Sequence, residues 1–581
     1  MKWYLLSSVF VTGFTGETAI VSLKENNIEL SREAAVTDMT AGSYYHDLAN
    51  QQVYMWPADS DNPNSNGKTY MLYVWIGFCD DQADFAIQGE DSIFYFPVIN
   101  SRQVPQFSVS ITELFKGDIT FQFGEIKINH PEWGLYNLNN YIWINSTMVV
   151  KAGADEAVYG DYDAVLWGLI ENITFSTAGV IFSIKDIRDR LYSNIPPDRF
   201  LLSDFPYLPA AIHYRTRPVL VGEKTGMQPN LISTLGNTYE ISQTSFEFGD
   251  FAIESIDAVY KDGVPLSTPA DYSEDLASGR FTLTASPGPS VITCDAKGLK
   301  IQRDFSTQTW DNTWTDNIAD ITFFYLRLQN IEALYINEAS FLTLQANSTG
   351  IQCGDLLSTE VLFTEKLKEL QITGKFHLLP TADGRVEAIS YRRSDAPEIQ
   401  LTDEYYRDFT ISRSSADILN RVLLRYDKNP VYIEQETEGG ESLGDWKFFR
   451  RTKDSIGYKY QVSRMENFKT IINNEGDAEN LANDFISFYE RPTETIIFKM
   501  NHEAIAWQLL KKIGITYTEI IEGVSTTIYD EEPFILVGKS IAWAGYIVLT
   551  LRKDPATISG RYWTDHNGEI ITDHNDDGIT T

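Results

Sequence analysis

Runs of alternating apolar and polar residues, each cut by turn residues, constrain this chain more than any other feature. Thr69–Phe78 (TYMLYVWIGF) and Ser92–Ile99 (SIFYFPVI) crowd β-branched and aromatic side chains between turns. Such residues suit a pleated, half-buried surface, so from Met1 to about Arg215 the pattern predicts strands. The opening MKWYLLSSVFV places Trp3, Leu5, Val9 and Val11 at period two and breaks its apolar run at Ser7 and Ser8. It reads as a first strand turning at Gly13–Gly16 rather than as a signal segment. Phe123–Gly134 (FGEIKINHPEWG) is expected to pair with Tyr141–Gly153 (YIWINSTMVVKAG), followed by Ala164–Ser176 and Gly179–Ile187. That succession predicts antiparallel strands in a barrel or a strongly curled sandwich. Pro57–Gly67 is a polar surface loop. Asp186–Phe200 leaves the sheet, and Pro196–Pro197 exclude a long helix there.

Beyond Arg215 the pattern changes twice. Val259–Leu266 (VYKDGVPL) carries Asp262–Gly263, a strong hairpin signal. Gly279–Thr284 (GRFTLT) then turns Phe281 and Leu283 inward before the Pro287–Ser290 turn. Ile321–Ala333 and Val361–Leu370 space apolar residues as helices do, and Phe376–Arg392 reads as a hairpin turning at Asp383–Gly384. After Pro397 the strand pattern returns with Asp417–Asp427 (DILNRVLLRYD), a strand at Tyr458–Val462 and the apolar run Ile541–Leu551. One helix interrupts it, Asp477–Tyr489, with Ala478, Leu481, Phe485 and Phe488 on one stripe and Pro492 just beyond. The run Ile541–Leu551 is too short to cross a membrane as a helix and is expected to be a buried strand.

Charge and cysteines exclude whole classes. With 81 acidic and 47 basic side chains the net charge is -34, a surface that repels phosphates and anionic membranes. The acids form no long run, so most are expected to solvate the surface. Cys79, Cys294 and Cys353 are far apart, form no CxxC pair, and fit free buried thiols in a reducing compartment.

Each catalytic pattern fails on a particular residue. Gly67–Thr69 and Gly538–Ser540 end like phosphate-binding loops, but Asn62 and Pro533 stand where the first glycine belongs. His502–Ala506 begins like a zinc-protease helix and offers Ala506 in place of the second histidine. His46, His130, His213, His377, His502, His566 and His574 are scattered singly. The acidic pairs Asp80–Asp81, Glu90–Asp91 and Asp530–Glu531 are expected by chance in so acidic a chain. Asp573, Asn575, Asp577 and Gly578 open like a calcium loop, but Thr581 comes before the closing glutamate, and a polar tail is the expectation. No catalytic, cofactor-binding or metal residue is therefore assigned, and no cofactor is expected.

Taken in order, the stretches Phe123–Gly134, Tyr141–Gly153, Val259–Gly298 and Asp417–Asp427 resemble the tail hub proteins of tailed bacteriophages. The resemblance implies a mainly β, multidomain chain with minor α, in which two tail-tube-like β-barrels flank smaller β and α+β domains. The expected segments are a first barrel over 1–215, a small β domain over 216–300, an α+β domain over 301–397, a second barrel over 398–553 and an acidic tail over 554–581. It implies a non-enzymatic virion protein of the tail tip or baseplate, assembled in the bacterial cytoplasm. Such a protein forms a homotrimer bound to a distal tail protein or tube ring, the tape measure protein, and a fibre or spike. Genomic DNA would pass through its channel without stable binding, and no transmembrane segment is expected. Two other classes compete: a tail-associated cell-wall or glycan hydrolase, and a host-receptor module using aromatic residues such as Trp310 and Trp314.

Overall fold

The computed structural model describes side chains chiefly in residues 193–381, 384–391, 396–428, 446–501, 507–520, 525–541 and 546–554. Before these it describes strand backbones, with side chains at 108–111, 125–127, 143–150, 168–175 and 179–185. The first expectation holds: Lys2–Val11 is a strand. It pairs on one flank with Thr147–Gly153 and on the other with Tyr70–Asp80. From Thr147–Gly153 the pairing passes through Asp163–Ser176, Gly179–Lys185, Ile126–Ile128, Tyr95–Ile99 and Tyr70–Asp80 back to Lys2–Val11.

The partners within this ring differ from the expected succession. Ile126–Ile128 pairs with Gly179–Lys185 and Tyr95–Ile99, not with the Tyr141–Gly153 stretch. Tyr70–Asp80 runs parallel to Tyr95–Ile99. Period-two patterning fixes which residues face inward, but leaves open which strand lies alongside.

An eight-stranded sheet dominates the other end of the chain. Its backbone is Val524–Ala542, whose first half pairs with Lys512–Ile521 and whose second half pairs with Tyr546–Lys553. The apolar run Ile541–Leu551 is thus split between the two arms of a hairpin and is not one strand. Thr493–Met500 and then Tyr406–Ser414 extend this sheet. On its other side it takes Phe107–Ile111 and Ile119–Phe123 from far earlier in the sequence. The path ends at Tyr406–Ser414, but the sheet curls: Phe409 stacks on Tyr517 with ring centroids 4.2 Å apart, and the Tyr406 hydroxyl donates to the Thr516 carbonyl at 2.7 Å.

Between these sheets lies a second core. Val219–Met227, Ile253–Lys261 and Ile292–Leu299 form one sheet, closed at an edge by Gly354–Leu357. The expected hairpin is present: Lys261 pairs with Val264, and Asp262 and Gly263 have φ of 52° and 79°, the two left-handed positions that this tight turn needs. Phe281 and Leu283 are buried as expected.

Helix α1 (Ile318–Leu328) runs through this core, and every one of its residues except Arg327 is buried. Helix α2 (Glu338–Asn347) and helix α3 (Phe363–Gly374) pack beside it. The Phe376–Pro380 and Val386–Ser390 hairpin lies where expected, although Asp383 is outside the described residues.

Arg421–Tyr426, expected in the closing barrel, instead centres a separate three-stranded sheet with Lys447–Thr452 antiparallel and Met465–Lys469 parallel. Helix α4 (Asp454–Tyr460) replaces the strand expected at Tyr458–Val462. Helix α5 (Glu475–Tyr489) backs the sheet and buries Ala478, Leu481, Phe485 and Phe488. Residues from 109 to 184 share one apolar core with residues 372–551, while residues 169–388 and Ile471 build the other. The segments of the sequence therefore interlock.

Candidate functional site

Catalytic patterns do not assemble among the described residues. Gly538–Ser540 lies in the extended strand Val524–Ala542, so no loop presents amides to a phosphate. Lys539 points inward, donates to the Trp507 carbonyl at 3.0 Å, and burial brings its pKa down to about 8. Asp530 and Glu531 are exposed in the same strand. His213 packs on the Tyr214 ring and His377 is buried in a strand. No group of three potential metal ligands occurs among the described residues. The Asp573–Gly578 pattern, His502, Ala506, Asp80–Asp81, Glu90–Asp91, Gly67–Thr69 and Cys79 lie outside the side chains described. Cys294 and Cys353 are buried, and burial pushes both thiols up, which makes them inert.

Trp310 and Trp314 are half-buried and each is held by neighbouring groups. Trp310 sits edge-on to Phe251 with centroids 5.0 Å apart, with the Arg303 guanidinium 5.1 Å from its ring. The Trp314 indole N–H donates to the Gly222 carbonyl at 3.3 Å.

Buried charge is concentrated at the joints between units. The Lys224 amine, in Val219–Met227, reaches Asp427 at 3.2 Å and Asn473 at 2.9 Å, and Lys447 meets the other Asp427 oxygen at 2.8 Å. Asn473 donates in turn to the Glu223 carbonyl at 2.7 Å, and the Gly354 amide donates to the Ile471 carbonyl at 2.9 Å. Burial lowers the Lys224 pKa, and the facing Asp427 carboxylate opposes that shift. A second pair, Arg303 to Glu338 at 2.6 Å, joins Arg303–Asp304 to helix α2. Each charge faces an opposite one, so the first pair locates one sheet against another and the second a strand against a helix.

The surface carries the more telling feature. Phe200, Phe205, Leu208 and Ile212 form a small core with Ile232. The segment is pinned from two sides: the Phe200 amide donates to Arg215, and the Thr234 amide donates to Tyr207 at 3.1 Å. Arg217 and Arg280 lie over the Phe205 ring and share the buried Glu240. On this braced base Leu202, Tyr207, Tyr214 and Leu235 stand half-exposed or more. Tyr214 is held at φ 64°, a left-handed conformation uncommon for so bulky a residue. These four apolar side chains are exposed above a packed base. The sequence signal for it, the Pro196–Pro197 exit from the sheet, showed the segment but not its exposed face.

No family model and no curated protein matches this chain. Among solved structures it is similar to the 43 kDa tail protein of prophage MuSo2 from Shewanella oneidensis, at 10% identity and a TM-score of 0.34 over 78% of this chain and 94% of that one. It is also similar to a tail protein from Neisseria meningitidis MC58, at 11% identity and a TM-score of 0.29 over 77% of this chain and 91% of that one. The prophage tail protein gp18 from Listeria monocytogenes EGD-e shares 10% identity at a TM-score of 0.28, over 79% of this chain and 91% of that one.

Proposed function

We propose that this chain is a structural protein of a bacteriophage tail: a homotrimeric hub that closes the host-facing end of the tube and leaves a channel for the genome. The observation that carries this reading is the ring of seven strands that returns to Lys2–Val11. A sheet whose strand pairing returns to its start suits a tube-like barrel, and the joint between Ile126–Ile128 and Tyr95–Ile99 is the single pair Ile128 and Ile99. The curled eight-stranded sheet is the second barrel-like unit, so three chains would present six units to a sixfold tube. The partners proposed are a distal tail protein or tube ring, the tape measure protein, and a fibre or spike at the tail tip.

Antibody labelling of intact particles tests the position; label at the host-facing end is expected, and label along the tube or in the capsid contradicts it. The pure protein should release neither reducing sugar nor muropeptides from peptidoglycan or capsule. Release abolished by a single acidic substitution would replace this reading with a hydrolase.

A further inference from the structure

The joint between the two cores brings together a lysine, an asparagine and an aspartate. Lys224 lies in Val219–Met227, whose apolar residues line one core, and Asp427 follows Tyr426 of the other. Asn473 follows Ile471 and Ile472, one buried in each core. Lys224 and Asn473 stand 249 residues apart, so no pattern sought along the sequence has this form.

The Lys224 side chain is 4% exposed, with Nζ 2.9 Å from the Asn473 Oδ1 and 3.2 Å from the Asp427 Oδ1. The other Asp427 oxygen meets Lys447 at 2.8 Å. The Asn473 amide is oriented from its far side: Nδ2 donates to the Glu223 carbonyl at 2.7 Å, which leaves Oδ1 turned to the lysine. Gly354 keeps room for that amide, since a Cβ there would fall 2.2 Å from Nδ2. The Asp427 amide donates to the Ile472 carbonyl at 2.7 Å, which ties the aspartate to the segment carrying Asn473. Burial disfavours the charge on Lys224; Asp427 and Asp355 oppose that effect, and Lys366 adds to it. The Asn473 carbonyl carbon lies one C=O bond, about 1.2 Å, from the oxygen that Nζ already meets. Amine, amide carbon and proton acceptor are thus held in one place, the condition for acyl transfer within a chain.

We propose that Lys224 and Asn473 join in an isopeptide bond, formed once by the chain on itself with Asp427 as proton carrier. The Asp427 carboxylate takes a proton from the Lys224 ammonium, and the freed amine attacks the Asn473 Cγ. The Nζ–Cγ bond forms as the C=O π pair moves onto Oδ1. Asp427 passes its proton to Nδ2 and takes the second proton from Nζ; the π pair returns and the Cγ–Nδ2 bond breaks. Ammonia leaves with that second proton. Ammonium and carboxamide thus become amide and free ammonium, with no oxidant, reductant or cofactor. The link closes a loop across 249 residues and ties the two cores together. It is independent of the hub reading.

Mass spectrometry of the intact, denatured full chain tests this. The mass should fall short of the sequence mass by one ammonia. In a tryptic digest the cut after Lys224 should be lost, and its peptide should be joined to the one holding Asn473. Lys224→Arg and Asn473→Ala, each checked for folding by thermal unfolding, should keep their full mass. Asp427→Asn should link about a hundredfold or more slowly than wild type, the usual contribution of a placed proton acceptor. Full mass with separate peptides, after long incubation of the folded wild type, overturns the proposal without recourse to any variant. So does a lost ammonia with an unbranched Asn473 peptide, which is ring closure of the asparagine on its own backbone. Linkage in Asp427→Asn as fast as in wild type overturns the role given to that carboxylate.

Discussion

At the scale of single residues, the glycines show most plainly what holds the units together. Gly222 has φ +65°, and a Cβ there would fall within the contact distance of the Cys353 carbonyl oxygen. Gly263 is also left-handed, at φ +79°, but has nothing within 4 Å. Gly222→Ala should therefore cost roughly 2–4 kcal/mol in denaturant unfolding, from the left-handed penalty plus overpacking, and Gly263→Ala only about 1 kcal/mol. Equal costs at the two positions would deny the close approach of Val219–Met227 to Gly354–Leu357. Lys539 offers a pH test. Its pKa of about 8 in the fold lies below the ordinary 10.5, so the unfolded chain binds its proton more tightly. Stability should rise with pH between about 8 and 10.5 by an amount on the order of 3 kcal/mol. Lys539→Met should lose that rise, as read from the difference in unfolding free energy between wild type and variant across pH 7.5–10.5. The sequence singled out Gly538–Ser540 for its phosphate-loop ending; only the strand register shows that Lys539 is turned into the protein.

At the scale of elements, the sequence was most legible where one local rule decides the outcome. The Asp262–Gly263 turn, the Phe376–Ser390 hairpin and helix α5 depend on neighbours in sequence, and all three lie where the pattern puts them. Helix α5 also carries its start signal: the Asn474 side chain accepts from the Asp477 amide at 2.8 Å. Asn474→Ala should cost about 1 kcal/mol in unfolding and Asn474→Ser much less; equal losses would mean that the side chain packs rather than caps. The misreadings have a common cause. Tyr458, Tyr460 and Val462 alternate as a strand does, yet Asp454–Tyr460 is a helix of barely two turns, too short for its apolar spacing to outweigh that alternation. The pairings of Ile126–Ile128, and the insertion of Phe107–Ile111 beside Val524–Ala542, are decisions between residues far apart in sequence. Alternation says that a strand forms and is silent on its neighbour. The exposed Tyr207–Tyr214 segment escaped notice because no periodicity marks it, so the sequence does not separate the buried Phe205, Leu208 and Ile212 from their exposed neighbours.

At the scale of the whole molecule, the net charge of -34 and the hub reading meet in the channel. Basic groups on a channel wall would bind phosphates and slow the DNA, whereas acidic ones repel it. The strands facing the channel are therefore expected to hold more Asp and Glu than Lys and Arg. A structure of the assembly checks this: a wall lined mainly by Lys and Arg contradicts it, and a neutral wall leaves the charge a solubilising role alone. The central claim of the proposed hub is the trimer itself, because two tube-like units per chain would match a sixfold tube only with three chains. Native mass measurement of the purified protein, at the high local concentration of a tail, tests it most directly. A closed species of three times 66.0 kDa, seen as threefold rings in micrographs, is the predicted result. Monomer alone, with no ring in intact particles, would contradict it.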